Sequence, residues 1–324
     1  MSTFIKVIEI WTLNTDKQGL GLADTFYSDS DGVENKYLEY NEFREVSEQH
    51  IFGYDEGLPG KAWAAVSPLI ITDLEHSYFQ RKGVAAKAGL TVGLAIPIFS
   101  GEFLIAVIVF LCGEGQGLAG AIELWEKLGN KSEQKIDALG LVDGYYGSLR
   151  KLESVSRGLQ FAKGNGLPGS VWDYHIPMVV ANMSESSLFK RASTAAVEGV
   201  STAIGLPLFY YTGKEYVVTF LSARSTPIAL QYQVWLPDRD HNYLFLHACE
   251  CEAENNLVSF DKNKHIKRND GMIGNVWSTG TPIISNNPAA DGLLQKGSKS
   301  DYKTGFVMPL IEEGFLKSVV VLVF

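Results

Sequence analysis

The chain is poor in cysteine, with three in 324 residues. That is too few for a disulfide framework and points to a reducing compartment. No apolar run reaches the roughly 18 residues a membrane helix needs, and the most apolar stretch, Phe103 to Cys112, is about half a span. There is no basic excess either. Lys and Arg number 28 against 37 Asp and Glu, a net charge of −9. This argues against nucleic acid, whose phosphates require a basic face, and against attraction to anionic membranes. The short basic blocks, Arg81-Lys82, Lys190-Arg191 and Lys264 to Arg268, read as solvated faces. The histidines are scattered (His50, His76, His175, His241, His247 and His265), and no Ser/His/Asp arrangement can be assembled from their spacing.

What is abundant is internal repetition. Gly57-Leu58-Pro59-Gly60-Lys61-Ala62-Trp63 returns as Gly166-Leu167-Pro168-Gly169-Ser170-Val171-Trp172 and, more weakly, as Gly271-Met272-Ile273-Gly274-Asn275-Val276-Trp277. A fixed period of this kind marks tandem structural units. Each copy is preceded by a strand-like segment ending in Trp: Ile8 to Trp11, Ile122 to Trp125 and Tyr232 to Trp235. Each is followed by an apolar-Pro-apolar strand: Ile96-Pro97-Ile98, Leu206-Pro207-Leu208 and Met308-Pro309-Leu310. The six Trp are thereby used two per repeat. We read three units, residues 1–115, 116–225 and 226–324, with short joints at Gly113 to Leu118 and Ala223 to Pro227.

Within repeat one, period-2 patterning predicts strands Phe4–Thr12, Leu20–Tyr27, Leu69–Ile71, Val92–Phe99 and Phe103–Leu111. Helical spacing predicts a helix over Asn41–Ile51 with Asn41 as N-cap, one from the Gly57 motif through Trp63, and one over Phe79–Ala88 ending at Gly89. Ser28 to Asn35 reads as a loop. Repeat two follows the same plan, with a second strand over Ile136–Val142 and a helix over Leu188–Val197. Repeat three begins with a strand at Ile228 and carries a degraded Gly/Lys/Ser segment, Leu293 to Lys303, where the earlier copies are helical.

The element order and these motifs resemble the GAF domain family. The match in repeat one runs from the Gly57 motif through Pro68 to Leu74, Phe79-Gln80-Arg81, Ala85 to Leu90 and Leu94 to Ile98, and in repeat two it continues through Phe189-Lys190-Arg191-Ala192. The resemblance implies an α+β fold: three tandem GAF-like domains, each a central antiparallel sheet of five or six strands with short helices. It also implies small-molecule binding, or a dimerising or regulatory role without chemistry. The departures are informative. The family's flanking helices have no room here, and no output domain accompanies the repeats. Neither the Asn-Lys…Phe…Asp-Glu type of cyclic-nucleotide signature nor a bilin-attaching Cys followed by His is present.

The candidate ligand residues are Trp63, Asp73 and Arg81 in repeat one, and Trp172, Asn182 and Arg191 in repeat two. Set against them, the Trp residues read equally as core, and the Asp73/Asn182/Asn286 position as a polar cap for the next helix. The motif loops could cradle phosphate, but Lys61 is followed by Ala62, not by the hydroxyl residue of a P-loop. His247, Cys249 and Cys251 suggest metal ligands, yet strand geometry spreads the first and third by about 13 Å, so they read as packing. A sulfoxide reductase needs cooperating Cys residues, and a same-face pair on one strand is poorly placed. No catalytic residue, metal ligand or cofactor is assigned.

Phe103 to Leu111 and Val319 to Phe324 are apolar on both alternating faces, the mark of strands buried on both sides. With no flanking helices, neighbouring repeats or another copy must cover the second face. Two units can pair and leave the third open. The sequence therefore predicts a non-catalytic protein that self-associates through apolar sheet faces as a structural or scaffold component. The alternative is a small-molecule-binding regulatory module. Its partners are itself and a small ligand, with neither nucleic acid nor membrane insertion. Its compartment is the cytoplasm or another reducing soluble one, such as an organelle stroma after removal of a transit peptide.

Overall fold

The structure is a computed structural model, and it describes residues 3–16, 18–28, 34–113, 117–129, 137–183, 185–252, 264–295 and 302–324. Repeat one comprises β1 (Ile5–Leu13), β2 (Leu20–Tyr27), α1 (Glu34–Gln49), β3 (Ile51–Phe52), α2 (Gly57–Ala65), β4 (Leu69–Ile71), α3 (Lys82–Lys87), β5 (Leu90–Ser100) and β6 (Phe103–Gly113). Repeat two comprises β7 (Ala119–Lys127), β8 (Ala138–Gly147), α4 (Arg150–Ser156), β9 (Gln160–Ala162), α5 (Gly166–Tyr174), β10 (Met178–Val180), α6 (Ala192–Glu198), β11 (Val200–Phe209) and β12 (Glu215–Ala223). Repeat three comprises β13 (Gln231–Pro237), β14 (Leu244–Cys251), β15 (His265–Ile266), α7 (Gly271–Thr279), β16 (Ile283–Ser285), β17 (Gly305–Glu312) and β18 (Phe315–Val323). Each repeat forms one six-stranded antiparallel sheet, and the first has the order β3-β2-β1-β6-β5-β4, which the other two reproduce.

The Gly-x-x-Gly motif has a steric cause at both glycines. Its first glycine has positive φ in all three copies, +58°, +67° and +60° at Gly57, Gly166 and Gly271, a conformation that L side chains disfavour. At the second, the helix crosses a backbone carbonyl. A Cβ would lie 2.0 Å from the Gly53 oxygen at Gly60, 2.1 Å from that of Ala162 at Gly169, and 2.2 Å from that of Lys267 at Gly274. The motif is thus the contact by which α2, α5 and α7 seat on the chain just before them.

Several boundaries differ from the sequence expectation. Asn41 is inside α1, not at its cap, and Glu34 and Asn35 are helical. The helix begins earlier because its core contacts, Tyr40 and Phe43, need the preceding turn in place. The α3 helix starts at Lys82, leaving Phe79 to Arg81 in a turn, and α6 likewise starts at Ala192. The first strand of repeat three starts at Gln231. Ile136 and most of the degraded segment between Leu293 and Lys303 fall outside the described residues.

Each sheet carries its helices on one face. Val7, Trp11, Val107, Val109 and Leu111 point to that side, and Ile8, Ile10, Ala106, Ile108 and Phe110 point away from it. The faces that point away converge from all three repeats into one core: Phe110 meets Phe220 at 5.4 Å and Phe306 at 5.7 Å between ring centroids. Strands β5 and β11 both pack on β17. At one end of this core Tyr210 donates to the Pro97 carbonyl at 3.2 Å. The second faces that motivate self-association are therefore buried within a single chain, by a three-way convergence in place of pairing.

The edges close as well. The β10 edge packs on β13 and β14, and the β16 edge packs on β2. Phe4 stacks on Tyr145 at 5.7 Å, over the backbone of Gly120 and Gly147, where added Cβ atoms would fall 2.7 Å and 3.1 Å from its ring. Phe324 stacks on Phe26 at 4.7 Å, and the Ile284 amide donates to Asp24 at 3.3 Å. Burial pushes the Asp24 carboxyl above its usual range, against hydrogen bonds from the Thr25 and Ile284 amides and the charge of Arg44.

Gly60→Ala is expected to cost about 3 kcal/mol or more, because the clash is with backbone, whereas Gly83→Ala, which meets nothing within 4 Å in α3, should stabilise by about 0.5–1 kcal/mol. Urea unfolding of the two variants checks the pair.

Candidate ligand site

The layer between each sheet and its helices is where the sequence resemblance leads one to look for a ligand. In repeat one Glu9 enters it from β1, on the same face as Trp11 because strand side chains alternate. Arg81 enters it from the turn before α3. The guanidinium grips the carboxylate twice, Nη1 to Oε1 at 2.5 Å and Nη2 to Oε2 at 2.8 Å. Nη1 also donates to Ser47 Oγ, whose own hydroxyl donates to the Phe43 carbonyl at 2.8 Å. Trp11 Nε1 donates to Glu9 Oε2 at 3.0 Å. Four rings enclose the guanidinium carbon: Phe43 at 4.7 Å, Trp11 and Phe79 at 5.1 Å, and Phe52 at 5.5 Å. The two charged side chains are 1% and 0% exposed.

Repeat two builds the same knot. Arg191 clasps Glu123 through Nη1 and, at 3.0 Å, Nη2, and donates to Ser156. Tyr146 and Thr219 donate to the same carboxylate, each at 2.9 Å, and Trp125 Nε1 at 3.3 Å. Burial alone would raise the Glu123 carboxyl. The charge of Arg191 and the bonds from Arg191, Thr219 and Tyr146 outweigh it and hold the group below its usual range. In repeat three amides stand in for the charges among the described residues. Gln233 stands at the Glu position, accepts Trp235 Nε1 at 2.9 Å and Gln295 Nε2 at 3.2 Å, and donates to Gln231 Oε1 at 3.0 Å and to the Leu293 carbonyl at 2.5 Å.

The predicted ligand residues are not brought to one site. Arg81 and Arg191 are in the layer, but committed to Glu9 and Glu123, so in the pairs Arg81-Lys82 and Lys190-Arg191 only the lysines are solvated as the sequence suggests. Asp73 is exposed. It accepts the His76 amide at 3.0 Å and pairs with the His76 ring at 2.9 Å, closing a turn beside an open cleft of about 410 Å³. Hydrogen bonds from the His76 amide and ring lower its carboxyl below the usual range. Asn182 is exposed, with a left-handed φ of +49°. Trp63 is half-buried against Tyr54, with ring centroids at 5.0 Å. Trp172 is fully buried, its Nε1 donating to Glu215.

The residues that sequence reasoning missed are Glu9, Glu123, Ser47 and Ser156. A signal was present: a polar residue two positions before the first Trp of every repeat, Glu, Glu and Gln, changing in step with Arg81 and Arg191. The Cys/His trio is split by a β-bulge at Val234/Trp235. His247 turns outward, while Cys249 faces Gln233 and enters the core. A hydrogen bond with Cys251, then burial, raises the Cys249 thiol.

Strand order and motif placement agree in all three repeats, and repeats one and two share their full element order. Each repeat is a GAF-like α+β unit. No protein-family model matches the chain, and no curated protein matches it. Among solved structures it is similar to the GAF domain of A. aeolicus nlh2 in an inactive state, at 21% identity and TM-score 0.25, over 32% of this chain and 57% of that one. It is similar to free methionine-R-sulfoxide reductase from Neisseria meningitidis at 16% identity and TM-score 0.24, over 33% and 52%. It is also similar to Staphylococcus aureus NreA mutated in its nitrate-binding site, at 19% identity and TM-score 0.25, over 34% and 77%. The similarity spans little more than half of the first two of these chains. Among the described residues no helix is long and apolar enough to cross a membrane.

Arg81→Met should destabilise by about 3–5 kcal/mol, because it strands a buried carboxylate. Glu9→Gln with Arg81→Gln, the arrangement of repeat three, should recover most of that loss in urea unfolding.

The lowered Glu123 carboxyl supplies stability that is complete above its unfolded value and is lost as pH falls through the lower folded one. The urea midpoint should fall below about pH 4, and Glu123→Gln with Arg191→Gln should flatten that fall.

Proposed function

We propose that the chain is a non-catalytic structural module, a built-in trimer of GAF-like repeats whose internal ligand layers are filled by its own side chains. The supporting observation is the buried Glu-Arg-Ser knot in repeats one and two, with four rings around Arg81. The guanidinium spends Nη1 and Nη2 on the carboxylate and Nη1 also on the serine, so its charge is balanced inside the layer. In repeat one the rings of Phe43, Trp11, Phe79 and Phe52 close around the guanidinium. Because the sheet faces are spent inside the chain, assembly of several copies would use the outer helical surface. A second reading, a small-molecule-binding regulatory module, draws support from repeat three alone, where neutral glutamines replace the charged knot.

Light scattering on a sizing column, across a wide concentration range, should return the 35.6 kDa mass of one chain. Native mass spectrometry of the freshly purified protein should show no retained small molecule. A stoichiometric ligand released by the Glu9→Gln, Arg81→Gln pair would overturn the structural reading.

A further inference from the structure

Repeat three carries two of the three thiols of the chain, and they stand where the other repeats build their knot. Across from the knot residue, on the neighbouring strand, Thr25 faces Glu9, Gly144 faces Glu123, and Cys249 faces Gln233. Two residues further on come Tyr27, Tyr146 and Cys251. Tyr146 donates to the Glu123 carboxylate at 2.9 Å. Repeats one and two place a phenol at this corner, and repeat three places sulfur there.

Strand alternation turns Cys249 and Cys251 to one face, and that face is the layer between sheet and helices. Cys249 belongs to the core cluster of Trp235, Leu293 and Trp277. Cys251 Sγ accepts Gln231 Nε2 at 3.2 Å, and Gln231 Oε1 accepts Gln233 Nε2 at 3.0 Å. The two thiols are hydrogen-bonded to each other. Cys249 is buried and Cys251 half-buried, so the pair has one sulfur in the core and one towards solvent. His247 is exposed on the outer side.

Two sulfurs in contact allow two kinds of chemistry. A disulfide needs Cβ atoms about 3.8 Å apart, whereas same-face neighbours on a strand have Cα atoms about 6.6–6.8 Å apart, so a direct S–S bond would bend β14. An ion between the sulfurs spans the gap with two metal–sulfur bonds, each about 2.3 Å in zinc thiolates. The number of ligands then selects the ion. Among the described residues no group of three or more His, Cys, Asp or Glu is placed to hold a metal. Structural zinc, which takes four ligands, is not served. Cu(I) is a soft ion that thiolates select, and two sulfurs in line satisfy it.

We propose that Cys249 and Cys251 bind one Cu(I) ion as a two-coordinate thiolate pair. Both thiols release their protons: Cu(I) and two thiols become a Cu(I) dithiolate of charge −1 and two protons, and no electron is transferred. The Gln231 N–H already on the Cys251 sulfur offsets the negative charge, as outer hydrogen-bond donors do at metal sites. The site is confined to repeat three and uses neither buried ion pair, so it goes beyond the structural reading and fails separately from it.

The test is a titration of the full chain, reduced and kept anaerobic, with Cu(I) in competition with a chromophoric Cu(I) chelator. Zn(II) is a separate arm. The chain should take up one equivalent of Cu(I), and X-ray absorption at the copper edge should show sulfur neighbours only. Cys251→Ser, at the half-buried position, should abolish uptake. Cys249→Thr, which installs the residue of repeat one, should do the same. Cys112→Ala, in repeat one, should leave uptake unchanged. Circular dichroism confirms that each variant is folded, and either of the first two decides the matter alone. A chain that takes no Cu(I) from the chelator, or uptake that persists in Cys251→Ser or in Cys249→Thr, would overturn the proposal while leaving the knots of repeats one and two as described. Zn(II) bound as tightly as Cu(I) would overturn the assignment to a two-coordinate soft ion.

Discussion

A sheet that is apolar on both faces and carries helices on only one governs the rest of this molecule. Exposing the second face would cost about 25 cal/mol for each Å² left in water, so the three sheets have to cover one another. Two sheets can do so by stacking, but three cannot stack without leaving an outer face. They instead turn toward a common centre, where Phe110, Phe220 and Phe306 meet. The seams follow from this. Glycines at 120 and 147 make room for Phe4, and the β16 edge finds its cover on β2.

The ion pairs inside repeats one and two answer a different need. A buried pair is weak evidence of stability, because desolvation offsets much of the attraction. What it supplies here is position. The Arg81 side chain ties the turn before α3 to β1 and, through Ser47, to α1, three elements far apart in the chain. Repeat three reaches the same end with amides, and Gln295 and the Leu293 carbonyl bring the corresponding segment to Gln233. Losing the acid and the base together, never one alone, is what the cost of an unpaired buried charge demands.

The repeat architecture was legible in the sequence because its signals are local. Positive φ and backbone crossing demand glycines at fixed spacing, and two-sided burial writes itself as unbroken apolar strands such as Phe103 to Leu111. The helix ends were less legible: Asn41 has the chemistry of a cap but sits inside α1, where tertiary contacts of Tyr40 and Phe43 extend the helix. The knot was missed because its halves lie 72 residues apart, and Arg81-Lys82 read in isolation is an ordinary surface pair. The bulge that parts His247 from Cys249 leaves no mark in residue types, since it depends on how β14 registers with β13. The convergence of three faces was beyond local reading altogether. Hydrophobicity says that a face must be covered, and says nothing of the geometry that covers it.

The seam between Phe26 and Phe324 has a kinetic meaning. Residues from near the two ends of the sequence complete one ring, and within each repeat the first strand pairs with a strand about a hundred residues later, as Ile8 does with Phe110. Contacts this distant in sequence are slow to form. A chain emerging from the ribosome can close each sheet once that repeat is out, yet the inward faces of repeats one and two stay wet until the third arrives. The nascent protein passes through a stage in which its most apolar surfaces are exposed, the kind of species that aggregates unless the next segment or a chaperone covers it.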